Sequence, residues 1–270
     1  MERKKFLGNA LKFIRSRMKF FHQPSAISLQ PYLFLALAIW GCGVAGAVDR
    51  ANLTFYLPFE GSLQPEIAGA PAATPGGANT QLKFIKGTAQ DAQLVAGRRG
   101  QGLKVTPDLN LQYLTRESFS AREGTIAFWM EPVGWSGVGH FRHFLVAHAD
   151  GVAMDFYMYY GNPWWYLANG TRYDLVGGSN WPSAFEKGEG FPEGKWTFIA
   201  GTYKPGQQTY YINGKLIIRR TDGLIEPEFI NTGILEIPPG DQVLDEIMIF
   251  DRVLTEQEIR AVYLANMPDR

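Results

Sequence analysis

Cysteine is almost absent from this chain: Cys42 is the one cysteine in 270 residues. No disulfide framework can support the fold, so an apolar core must do so. Net charge is absent too, with 26 basic and 26 acidic side chains. That balance hides an asymmetry. Residues 1–22 hold Arg3, Lys4, Lys5, Lys12, Arg15, Arg17 and Lys19 against Glu2, and residues 23–47 hold no charge. Removing those seven bases and one acid leaves the remaining chain net acidic by six. A mildly acidic body lacks the electrostatic footprint of a nucleic-acid binder, and the doublets Arg98-Arg99 and Arg219-Arg220 are too small to supply one. Internal repeats and heptads are lacking. The apolar stretch that ends at Ala47 falls short of the roughly 20 residues a membrane-spanning helix needs.

What is present at the N-terminus is a basic region, the apolar run Tyr32–Trp40 and the small residues Gly41–Ala47. This order describes a secretory signal peptide cleaved after Ala45-Gly-Ala47, so residues 1–47 are read as the signal and 48–270 as the exported body. The segment before the apolar run is long, and a start at Met18 would give it ordinary proportions. The alternatives are an uncleaved anchor or a lipoprotein acylated at Cys42, to which Trp40 next to Gly41 is a poor fit. The expected location is outside the cell or in its envelope, with membrane contact through the signal segment alone.

The body reads as short strands separated by turns. About 220 residues suffice for one domain that buries roughly 70% of its unfolded surface. Val243, Asp245, Ile247 and Ile249 alternate with Leu244, Glu246, Met248 and Phe250, the period of a strand. Thr255 and Glu258 then form a capping box that opens a helix with the apolar stripe Ile259, Val262 and Tyr263. Asn213-Gly214 suits a type I′ hairpin turn between two strands. Ala68–Ala78 is a Gly/Pro/Ala loop, and Gly177–Gly194 is a long loop that carries Trp181, Phe185 and Phe191.

Five further segments join the strand-corner-helix end Leu244–Ala265. They are Leu53–Gly61, the Gly-rich Gly97–Val105, Gly124-Thr-Ile-Ala-Phe-Trp-Met130, Lys195-Trp-Thr-Phe-Ile-Ala-Gly-Thr-Tyr203 and Tyr210-Tyr-Ile-Asn-Gly-Lys-Leu216. In this combination, over roughly residues 53–265, the chain resembles the laminin-G-like jelly rolls of the concanavalin A-like lectin/glucanase superfamily. The resemblance implies an all-β fold, a two-sheet antiparallel jelly-roll sandwich with one short C-terminal helix. It is nearly silent about ligand, because the superfamily holds lectins, hydrolases, lyases and adhesion modules. It also implies a structural calcium ion between the first and last strands, held by Asp245 and by main-chain carbonyls of Phe59, Glu60 and Gly61.

A retaining hydrolase of this fold needs two carboxylates about 5–5.5 Å apart on one strand face, and the Glu-x-Asp-x-Glu pattern is missing. Glu226-Pro-Glu228 has the spacing, but Pro227 argues against a central strand. His143, Arg142, Tyr157, Tyr159 and Arg172 offer the residue types of a lyase without its motifs. His143 and His148, five apart, are expected to face opposite ways and so not to share a zinc ion. The densest functional signal is aromatic: Asp155–Tyr160 followed by Gly161–Tyr166. Flat rings stack on sugar C–H faces while polar chains bind hydroxyls. Asp155, Tyr157, Tyr159, Trp164, Trp165, Arg172 and Trp181 are therefore the candidate ligand-binding residues. Along the strand Tyr157 and Tyr159 should share one face, with Phe156 and Met158 on the other; one set belongs to the core. The favoured reading is a non-catalytic carbohydrate-binding or adhesion module, with a glycan, polysaccharide or cell-surface protein as partner. A polysaccharide-active enzyme and a structural interaction module of the cell envelope are the alternatives.

Overall fold

The computed structural model describes residues 52–69, 82–115, 117–120, 122–136, 141–149, 152–159, 162–169, 172–177, 191–221 and 233–265. Residues 1–47, most of the Ala68–Ala78 loop and Trp181 lie outside the described residues. In chain order the strands are β1 Leu53–Leu57, β2 Ile67–Ala68, β3 Leu82–Lys86, β4 Gln93–Ala96, β5 Gln101–Val105, β6 Asn110–Leu114, β7 Gly124–Pro132 and β8 Arg142–Ala149. There follow β9 Val152–Tyr159, β10 Asn162–Asn169, β11 Arg172–Gly177, β12 Thr197–Lys204, β13 Gln207–Ile212, β14 Lys215–Arg220, β15 Ile234–Ile237 and β16 Gln242–Phe250. One helix, α1 Glu256–Leu264, ends the described chain.

These strands form two antiparallel sheets. The first runs β14-β13-β12-β7-β16-β1-β2, with β5 also on β16 and β4 on β5. The second runs β11-β10-β9-β8-β15-β6-β3. Local chemistry fixes the register. Asn213 and Gly214 take φ of 49° and 71°, so Ile212 pairs directly with Lys215 across a two-residue turn. Two positive φ values define the type I′ turn, and they match the twist of the strands it joins. The Asn213 side chain also accepts the Phe198 N–H at 2.9 Å, which ties the hairpin tip to β12.

One core lies between the sheets. It includes Phe55, Phe128, Phe156, Trp165, Ile199, Tyr210, Leu235, Leu244, Ile247 and Ile249. A second cluster on the opposite face of the first sheet gathers Tyr56, Trp129, Phe198 and Met248 beneath Ile259 and Val262 of α1. Thr255 caps the helix with the reciprocal bonds of a capping box, and Tyr263 stacks on Trp129 with ring centroids 5.6 Å apart. The helix therefore covers the outer face of the first sheet, and the outer face of the second sheet is left to carry a site.

Strict alternation in β16 does not hold. Its register with β7 shifts between Asp245 and Met248, where Glu246 takes φ of 52°. This bulge inserts one residue, so Leu244 points into the same core as Ile247 and Ile249 rather than away from it.

Candidate functional site

β8 carries a second bulge. His143 lies opposite Tyr157, but the next pair is Leu145 with Phe156, which leaves Phe144 as the extra residue. Phe144 and Leu145 are both buried in the core, and the phase of the strand changes between them. As a result His143 and His148 lie on the same outer face of the second sheet, contrary to the expectation from uninterrupted alternation.

Registration then sets out the face. Gln112, Glu236, Val146, Asp155 and Tyr166 form one row across β6, β15, β8, β9 and β10. His143, Tyr157 and Trp164 form the next row on β8, β9 and β10. Tyr157 and Trp164 stack at 8° between planes with centroids 6.2 Å apart. Phe141, just before β8, packs within 4.3 Å of His143, 4.9 Å of Tyr157 and 5.9 Å of Tyr159, ring to ring. Phe141 and Tyr159 remain 50% and 45% exposed, unusual for large rings. Tyr166 meets Tyr157 edge-on at 5.8 Å.

The opposite side of these strands is core. Met154, Phe156 and Met158 are buried between the sheets, as is Trp165, which is 0% exposed and stacks on Phe156 at 5.3 Å. Trp165, counted among the candidate sugar contacts, is thus a core residue, because it alternates with Trp164 across the plane of the sheet. A Cβ on Gly201 of β12 would come within 2.8 Å of the Phe156 ring and 2.9 Å of Trp165, so glycine there permits the two sheets to close on this stack.

Polar chains are ordered beside the rings. Asp155 is buried, and its Oδ2 lies 2.6 Å from His143 Nδ1. Burial pushes the Asp155 carboxyl up, against the pull of the hydrogen bond from His143. Its other oxygen, Oδ1, has no hydrogen-bond partner among the described residues; nor has Trp164 Nε1 or Asn110 Oδ1. Two strands away, Glu236 accepts from Asn110 Nδ2 and Gln112 Nε2, each at 3.0 Å, with His148 Nε2 at 3.5 Å. The His148 contact, and then the two amides, hold Glu236 down at about 2 although burial opposes them. The sequence pattern does not single out Phe141, Glu236, Asn110 or Gln112. Their common face comes from strand order and a bulge, which leave no local pattern. Arg172 lies in β11 with its side chain outside the description.

The expected metal position lies elsewhere, at the bulge of β16. Asp245 accepts the Arg99 N–H at Oδ2, 2.9 Å, and the Glu246 N–H at Oδ1, 2.8 Å. Burial pushes its carboxyl up to about 8; the Arg99 amide bond opposes this, while the Glu246 and Glu60 charges add to it. A Cβ on Gly100 would meet the Glu60 carboxylate, and one on Gly97 would meet Asp245, so the glycine-rich Gly97–Val105 segment is what admits both acids. Among the described residues no three His, Cys, Asp or Glu side chains gather to hold an ion. Each Asp245 oxygen keeps a lone pair beyond its amide bond, so this side chain is the one carboxylate ligand the position offers a calcium ion.

A laminin-G family model of the concanavalin A-like lectin/glucanases superfamily matches residues 108–260. The chain belongs to this superfamily. No relative among the curated proteins matches the sequence. Solved structures similar to it include the botulinum neurotoxin serotype D ligand binding domain in complex with N-acetylneuraminic acid, at TM-score 0.61 and 16% identity, covering 79% of this chain and 51% of that one. The binding domain of botulinum neurotoxin DC in complex with rat synaptotagmin II is similar at TM-score 0.61 and 16% identity, over 78% and 51%. The binding domain of Paraclostridial Mosquitocidal Protein 1 is similar at TM-score 0.60 and 21% identity, over 78% and 52%. The chain spans about half the length of these structures, and at such identities the likeness is one of fold. Among the described residues no helix is long and apolar enough to cross a membrane.

Proposed function

We propose that the chain is an exported, non-catalytic glycan-binding module whose platform is the outer face of β8, β9 and β10. One observation carries this reading: Phe141, Tyr157, Tyr159 and Trp164 form a contiguous set of rings on the face that α1 does not cover, beside oriented polar chains. Rings offer an apolar plane to sugar C–H groups, and His143, held by Asp155, offers a fixed polar edge beside them. The solved structures that this fold resembles include one in complex with a sugar and one in complex with a protein, so both partner classes enter the test. Purified protein applied to a glycan array should retain at least one oligosaccharide. Loss of that signal in the Phe141→Ala, Tyr159→Ala double variant should follow. An array on which nothing binds, with a cell-surface protein captured instead, would move the reading to an adhesion module.

A second reading is a polysaccharide-active enzyme, and the His143–Asp155 pair is the observation that favours it. A buried carboxylate that fixes one imidazole nitrogen leaves the other oriented for proton transfer. Incubation with the polysaccharide whose fragments bind should leave its chain length unchanged. Depolymerisation that His143→Ala abolishes would establish the enzyme. Calcium is proposed as a structural ion at Asp245, apart from the glycan face.

A further inference from the structure

We infer that this face takes an extended, uncharged oligosaccharide that runs across the strands, from the ring platform on β9 and β10 to a polar end on β6 and β15. The inference rests on the glycan-binding reading and specifies its ligand. The order β10-β9-β8-β15-β6 places four strand-to-strand steps between Trp164 and Gln112, or about 19 Å at the usual strand spacing. Such a span exceeds a single sugar, so a ligand that met only the rings would leave the polar end idle. Between the two ends lies Val146, flanked in its row by Asp155 and Glu236. Among the described residues the middle position of that row is held by a valine, too small to divide the face.

The polar atoms left over indicate hydroxyl chemistry. Among the described residues, Asp155 Oδ1 is a buried acceptor without a partner, Asn110 Oδ1 is another at the far end, and Trp164 Nε1 is a donor without one. A hydroxyl both donates and accepts, so a row of sugar hydroxyls can satisfy both kinds of atom. Charge selects against an acidic ligand. Glu236 is held ionised, Asp155 sits one strand beyond Val146, and each carboxylate already has its histidine partner. Lys83, opposite Gln112, and Lys86, opposite Asn110 and paired with Asp108 at 2.8 Å, are the permanently charged bases on this face among the described side chains, and both stand at its β3 edge. A uronate or sialate carboxylate laid across β15 would therefore meet the ionised Glu236 rather than a basic clamp, with His148 and His143 already engaged by Glu236 and Asp155.

Titration calorimetry on the whole protein tests this with cello-, manno-, xylo- and galacto-oligosaccharides of two and six units, and with uronic-acid oligomers of the same lengths. The six-unit neutral ligand of the best series should bind at least tenfold more tightly than its two-unit counterpart. Its uronate counterpart should bind more weakly. Asn110→Ala and Gln112→Ala should each reduce the six-to-two affinity ratio by about threefold to tenfold, the worth of one hydrogen bond. Equal affinity for short and long neutral ligands, or tighter binding of the acidic series, would overturn the inference while leaving a glycan-binding module in place. Failure of every oligosaccharide to bind would instead remove the glycan reading itself. The length and charge comparisons use wild-type protein, so they decide the matter even if a variant folds poorly.

Discussion

Asp155 and His143 are joined across β9 and β8 by a 2.6 Å hydrogen bond that depends on the extra residue Phe144. Without the bulge, His143 would point into the core and Asp155 would be a buried carboxylate with no partner at all. With it, the imidazole stands among Phe141 and Tyr157 with one nitrogen fixed and the other turned from the carboxylate. A single inserted residue thus converts a core position into a polar group on the ring platform.

The stack beneath that platform should be structural. Trp165→Ala should lower stability by about 3–5 kcal/mol, the usual loss for a large buried ring. Gly201→Ala should cost about 1–3 kcal/mol, because the new methyl meets Phe156 and Trp165. Urea unfolding of both variants measures this, and a change below 0.5 kcal/mol in either would place the sheets further apart than described.

Acid stability should depend on Glu236. Its carboxyl lies at about 2 in the folded chain, below the ordinary value, so its contribution is present above about pH 4.3 and is lost as pH falls toward 2. Wild type should therefore lose stability relative to Glu236→Gln between about pH 5 and pH 2. Melting temperatures of the two proteins taken across that range check the sign.

Asp245 should act in the opposite direction. Its carboxyl is pushed up to about 8, so its contribution is whole below the unfolded value near 3.9 and fades as pH rises through 8. Asp245→Asn should gain on wild type between pH 5 and pH 9. Bound calcium would favour the ionised form and offset the loss, so at pH 8 excess calcium should raise the wild-type melting temperature above its value in EDTA. Asp245→Ala should show no such difference. Equal wild-type values in calcium and EDTA would remove the metal.

The exported product should begin near Val48, since Ala45-Gly-Ala47 places small residues before that bond. Intact-mass measurement of the secreted protein decides it. A product that retains Tyr32–Trp40, or one lipidated at Cys42, would contradict the export reading.

Much of the fold could be read locally. The Thr255–Glu258 capping box, the Asn213-Gly214 turn and the separation of Phe156 and Met158 from Tyr157 and Tyr159 all follow from patterns a few residues long. The bulges could not be read. Glu246 and Phe144 sit in strands whose composition looks continuous, and each reverses the facing of every residue beyond it. The site was therefore half legible. Tyr157, Tyr159 and Trp164 declared themselves as an aromatic cluster. Phe141 and His143 needed the bulge, and Glu236, Asn110 and Gln112 needed the order of β15 and β6 beside β8.

The most direct test of the glycan platform is calorimetric titration of the selected oligosaccharide against Phe141→Ala, Tyr159→Ala and Trp164→Ala. A ring buries roughly 150–250 Å² when fully covered, and a sugar covers one face. Each loss should cost on the order of 1–2 kcal/mol by area, or about ten- to thirtyfold in affinity. For Phe141 and Tyr159, both half exposed, the melting temperature should hardly change. Selective weakening with the fold intact is the result this account predicts. Unaltered affinity in all three variants would contradict it and place the ligand on another surface.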